Sequence, residues 1–194
     1  YVHPTGPDHW EGLPAWAQVD RVADEAVLVA LEQFWKLFAA EFKGRPSLFA
    51  YDLLNEPEVR WDTPPMRAKW AVWLEKEYGA PVWLSQAWKL APVPASFAAV
   101  PVPDGKVAKR NDPALLAYQR FRESLADEWT RRQVAAIKSA DPQALVTAGL
   151  IQWSVPASLA GPFHYAAFRP SRQAAWLDFM EFHFYPLDHG AYDY

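Results

Sequence analysis

Glu56 follows the apolar run Leu48-Phe49-Ala50-Tyr51-Asp52-Leu53-Leu54 and sits between Asn55 and Pro57. Proline has no N–H for a sheet ladder and restricts the residue before it, so a strand through this run should stop at the carboxylate. A carboxylate at the C-terminal tip of a parallel strand can give or take a proton in a shared cleft. Two other segments end in the same way. Ala144 to Gly149, extended by Leu150-Ile151, leads to Gln152 and Trp153. Leu177 to Phe184, closed by Tyr185-Pro186, ends in His183 and Tyr185, two residues apart and so on one face of a strand. His183 could equally be a buried core histidine, and Trp153 a packing residue rather than a platform for a flat ligand.

The elements between these tips read as helices. Asp20 can cap a helix running to about Lys43, with Val27, Leu31, Phe34, Trp35, Phe38 and Phe42 on one face and Gly44 as its stop. Residues 58–111 form a long excursion with a helix over Met66–Tyr78 and a shorter helical piece near Ser85–Lys89. Asp112-Pro113 is a preferred opening pair for a second long helix ending near Ala140. Residues 154–176 read as loop with a short helix. The strand near residue 50 is apolar on both faces apart from Asp52, as a strand covered on both sides would be. Strands alternating with helices predict an α/β fold with a parallel sheet.

Composition narrows the function classes. The 194 residues include 51% hydrophobic and 22% charged residues, the balance of a globular chain. A net charge of −4 without a basic run argues against a nucleic-acid partner. No run of about 18 apolar residues is present, so no membrane-spanning helix is expected. Without cysteine there is no disulfide framework and no thiolate metal site, and the five His lack metal-ligand spacing. No phosphate-cradling glycine loop and no nucleophile-elbow serine motif occur. No cofactor is therefore expected. Eleven Trp supply packing mass or stacking surface for sugar rings.

Asp52-Leu53-Leu54-Asn55-Glu56-Pro57 paired with Glu181-Phe182-His183-Phe184-Tyr185-Pro186 resembles the clan A (β/α)8 glycoside hydrolases, closest to the cellulase-like family 5 group. Val146 to Ser154 resembles the fifth strand of such barrels. The resemblance covers nearly the whole chain and implies a partial (β/α)8 barrel over residues 1–194, from about the third strand to the sixth, with the first two and last two strands absent. It implies a carbohydrate substrate and a retaining β-glycoside hydrolase. Glu56 would be the general acid/base. Asn55 would bind the sugar 2-hydroxyl, and His183 would lie near the acid/base. Tyr185 would orient the nucleophile, a Glu expected on a seventh strand beyond this chain; Asp188 and Asp193 are not assigned to that role. Trp153 is a candidate sugar platform. His3, His9 and Trp10 would line the cleft from the loop after the third strand. Trp70, Trp73, Trp83 and Trp88 could enlarge the sugar site or pack the excursion on the barrel. The run from Trp73-Leu74 through Tyr78-Gly79 to Ala87-Trp88 shows a fainter likeness to β-galactosidases of the same clan. The alternatives are a catalytically degenerate carbohydrate-binding protein on this scaffold and an unrelated α/β enzyme that uses Glu56 as a lone base.

Overall fold

The computed structural model describes residues 19–105, 108–156 and 165–183. Helix α1 spans Glu25–Phe42, strand β1 Tyr51–Asn55, α2 Pro64–Tyr78 and α3 Pro81–Trp88. The long helix α4, Pro113–Ala140, leads to β2, Val146–Ile151; a single turn of helix, α5, Pro170–Gln173, precedes β3, Glu181–His183. The three strands form one parallel sheet in the order β1-β2-β3. All three C-terminal ends therefore lie on one side.

Local chemistry explains the boundaries. Asp24, not Asp20, caps α1, accepting from the Ala26 N–H at 2.9 Å. Asp20 is occupied elsewhere. One of its carboxylate oxygens accepts from the N–H groups of Val22 (3.1 Å) and Ala23 (2.9 Å), and the other accepts from the Thr63 hydroxyl at 2.5 Å. Thr63 in turn caps α2, whose C-terminus stops at Gly79 in the left-handed region, φ 72°. Asp112 caps α4 through Ala114 and Leu115, as its Asp-Pro opening predicts. The third strand is shorter than expected. At Asp178 the side chain takes over the ladder: its Oδ2 accepts from the Val146 N–H at 2.8 Å, while its own N–H donates to the Val146 carbonyl at 2.9 Å. Regular pairing begins only at Glu181 opposite Gly149.

The core lies between the sheet and the helices α1 and α4. Leu28, Leu31, Trp35 and Ala39 bury one face of α1, and Tyr118, Phe121, Trp129 and Ile137 one face of α4. Central strand β2 is buried at every position. Trp70 is buried among Tyr118, Phe121 and Trp88, and Trp88 is buried against Trp70 and Tyr78, so both pack the excursion rather than present a sugar surface; Trp73 is half-buried, and Trp83 is exposed. Among the described residues no helix is long and apolar enough to cross a membrane.

Candidate active site

The rim of the sheet is built around a bulge. Tyr51 pairs with Val146 and Asp52 with Thr147, but Asn55 pairs with Gly149, so β1 uses one more residue than β2. Such bulges re-aim side chains and are frequent beside active sites. Here the missing ladder acceptor is replaced by Asp52, whose Oδ1 accepts from the Gly149 N–H at 3.0 Å. The chain then turns sharply. Glu56 has φ 50°, a left-handed conformation in a residue with a Cβ, and its N–H donates to the Gly149 carbonyl at 2.8 Å. A conformation of this kind costs roughly 1–3 kcal/mol and persists where the surroundings impose it.

That turn aims the Glu56 carboxylate across the central strand. His183 Nδ1, at the end of β3, lies 3.1 Å from Glu56 Oε1. The two side chains come from β1 and β3, with β2 between them, and each is partly open, at 17% for the imidazole and 27% for the carboxylate. Nε2 of the same ring is 3.6 Å from Glu181 Oε1. One imidazole thus sits between two carboxylates. It can donate to Glu56 through Nδ1–H, or accept from a protonated Glu56 at the same atom.

Asn55 is exposed at the β1 tip, beside Glu56. Trp153 is half-buried just beyond β2, and its indole N–H donates to Glu58 Oε1 at 3.1 Å, which holds the ring beside the segment that follows Glu56. Tyr185, His9, Trp10 and His3 lie outside the described residues. Sequence reasoning missed four contributors: Asp52, Gly149, Glu58 and Glu181. Two carried a signal. Asp52 is the lone charge in an apolar strand, and Gly149 is an isolated glycine within a strand, which often marks a close approach.

The segment after Glu56 is held by a buried cation. Arg122 on α4 is 3% exposed and donates to the carbonyls of Val59 and Tyr165, the latter at 3.2 Å. Its guanidinium also lies 4.9 Å from the Trp61 ring centroid. Burial lowers its pKa to about 10. Next to it Glu123, also buried, accepts from the Tyr165 hydroxyl; burial first, then this hydrogen bond, pushes the phenol well above its ordinary range. Among the described residues no group of three or more His, Cys, Asp or Glu is arranged to hold a metal ion.

Residues 22–192 match the glycoside hydrolase 42 family, described as beta-galactosidase. The chain belongs to that family. The expected assignment to the cellulase-like family 5 group is thereby corrected. Short strand-tip motifs place a chain in a clan more readily than in one family, and the fainter β-galactosidase likeness of the excursion pointed the right way. No curated protein sequence matches the chain. Among solved structures, the cold-adapted beta-galactosidase of Rahnella sp. R3 superposes with a TM-score of 0.71 at 14% identity, over 88% of this chain and 24% of that one. The beta-galactosidase of the haloarchaeon Halorubrum lacusprofundi gives 0.64 at 22% identity, over 85% and 24%. An exo-carrageenase of glycoside hydrolase family 42 from Bacteroides ovatus gives 0.67 at 14% identity, over 83% and 23%. The parallel α/β architecture is thus that of part of these structures. The chain spans about a quarter of their length.

Proposed function

We propose that this chain is the central part of a family 42 catalytic barrel and carries the acid/base half of a retaining β-galactosidase site. The single observation that supports this most is the Glu56–His183 contact, in which a carboxylate on a strained strand exit meets an imidazole from the strand two places away. The substrate class follows the family description, beta-galactosidase. In this reading Glu56 protonates the glycosidic oxygen as the bond breaks, then removes a proton from water when the glycosyl intermediate is hydrolysed. His183 donates its Nδ1–H to Oε1 in both states, which leaves the other carboxylate oxygen to carry the proton to the glycosidic oxygen. Asn55 meets the sugar 2-hydroxyl, a contact that strengthens in the oxocarbenium-like transition state. Trp153 offers a ring face to the sugar, and Tyr185 orients the nucleophile. The nucleophile itself, a glutamate about 5–5.5 Å from Glu56, comes from a later strand of the complete barrel.

The test is to assay the full-length protein that carries this sequence on aryl β-galactosides, β-glucosides and β-mannosides, and to follow the first-formed sugar by proton NMR. Preference for the galactoside, with β-galactose released first, supports the proposal. Release of α-galactose would show an inverting enzyme, and binding without turnover would show a carbohydrate-binding protein on the same scaffold.

A further inference from the structure

The contact between Glu56 and His183 has a floor. Gly149 on β2 faces the imidazole so closely that a Cβ at this position would stand 2.6 Å from His183 Nε2 and 3.1 Å from Cε1. Separations below about 3.0 Å do not occur between real atoms of these types, so any side chain here must displace the ring. Gly149 does not lie in the left-handed region, so its backbone conformation would accept alanine; the approach of the ring is what excludes it. The glycine is itself pinned from both sides. Asp52 Oδ1 accepts from its N–H, and its carbonyl accepts from the Glu56 N–H. Asp52 Oδ2, buried and without a hydrogen-bond partner, is in van der Waals contact with the same Cβ point at 3.5 Å.

We propose that Gly149 is a positioning residue for the acid/base. It supplies the flat seat that lets the His183 imidazole reach the Glu56 carboxylate, with Asp52 fixing the seat across the bulge. The inference rests on the reading of Glu56 as acid/base, and it assigns a required glycine to the middle strand. An added methyl must shift the imidazole by several tenths of an ångström, and displacements of that order at a reacting pair cost up to about 100-fold in rate.

The experiment is a double-mutant cycle in the full-length protein: Gly149→Ala, His183→Ala and both together, each assayed on aryl β-galactosides with good and poor leaving groups. Gly149→Ala should lower kcat/KM roughly 10- to 100-fold on poor leaving groups and less than about 3-fold on good ones, because only the former need the acid. In the His183→Ala background the added methyl enters vacated space and should change the rate less than about 2-fold. Equal losses on both substrates, or fully additive losses in the double variant, would overturn the proposal. Should Gly149→Ala alone fail to fold, a folded Gly149→Ala/His183→Ala variant supports the seat, and an unfolded one overturns it. Glu56→Gln, run alongside, separates the two ideas. If it abolishes turnover of poor leaving groups while Gly149→Ala is silent, only the seat fails; if it is itself silent, the acid/base assignment fails.

Discussion

Arg122→Met removes the buried cation that anchors the backbone just after Glu56, and its cost can be worked from its contacts. The carbonyls of Val59 and Tyr165 lose their charged donor, and each buried acceptor left without a partner costs about 1–3 kcal/mol. Loss of the guanidinium from the Trp61 face adds about 1 kcal/mol. Against this, burial disfavours the charge: a fall from 12.5 to about 10 corresponds to about 3 kcal/mol that methionine would not bear. The balance is a destabilisation of about 2 kcal/mol, because the carbonyls, unlike a carboxylate partner, cannot be removed by mutation. Arg122→Lys should be no better, since a compact ammonium is more strongly hydrated and lacks the fork that serves two carbonyls at once. Denaturant unfolding of the full-length protein reads the stability, and kcat on a poor-leaving-group galactoside should fall about 10-fold as the 57–61 segment loosens, within the range that small misplacements near a reacting group produce. A methionine variant as stable as the parent would refute the reasoning, because it would show that those carbonyls do not depend on the guanidinium.

Two further outcomes follow from the core. Trp70→Ala should cost about 3–5 kcal/mol, since the ring is 1% exposed and meets Trp73, Trp88, Tyr118 and Phe121; thermal unfolding reads it, and a loss below 1 kcal/mol would place the ring outside the core. Stability should also fall as pH rises above 10. Burial raises the phenols of Tyr118 and Tyr165, so the folded state keeps protons that the unfolded chain releases near pH 10; their stabilisation is full below that pH and lost above it. Arg122 works the other way, with a folded pKa near 10 below its unfolded value, but one guanidinium does not offset two phenols. Each proton of net imbalance is worth roughly 1.4 kcal/mol per pH unit, and Tyr165→Phe should flatten the slope of the unfolding free energy between pH 10 and 11.5. An unchanged slope would contradict this.

What was legible in the sequence was the rim. Asn55-Glu56-Pro57 announced a strand exit because proline cannot continue a ladder, and His183 had the spacing of a strand-tip residue. Their meeting follows from three parallel strands sharing one edge. Less legible were features that depend on a neighbour chosen by the fold. Asp20 reads as the cap of the first helix, but in the fold it is taken by Thr63 and the turn at Val22 and Ala23, and Asp24 caps the helix instead. The late start of β3 follows from Asp178 capturing the Val146 N–H, a choice set by tertiary register rather than strand propensity. Gly149, an isolated glycine in a strand, signalled a close approach, but that His183 is what approaches it is set by the fold. Arg122 gives no sign in the sequence of being a core residue, yet it is buried because two loop carbonyls and an indole receive it. The family was missed because the acid/base motif is short, while the distinguishing excursion carries tryptophans whose packing role and sugar role look alike in one dimension.

The central claim is that Glu56 supplies the proton to the departing oxygen. Its most direct test is the leaving-group dependence of kcat/KM for Glu56→Gln in the full-length protein, on aryl β-galactosides spanning phenol leaving groups of low to high pKa. The account predicts near-normal rates for the most acidic phenols and losses of about 100-fold or more for the least acidic, within the range attributed to general acid catalysis. A variant that cleaves the poorest leaving groups at the parent's rate would contradict it.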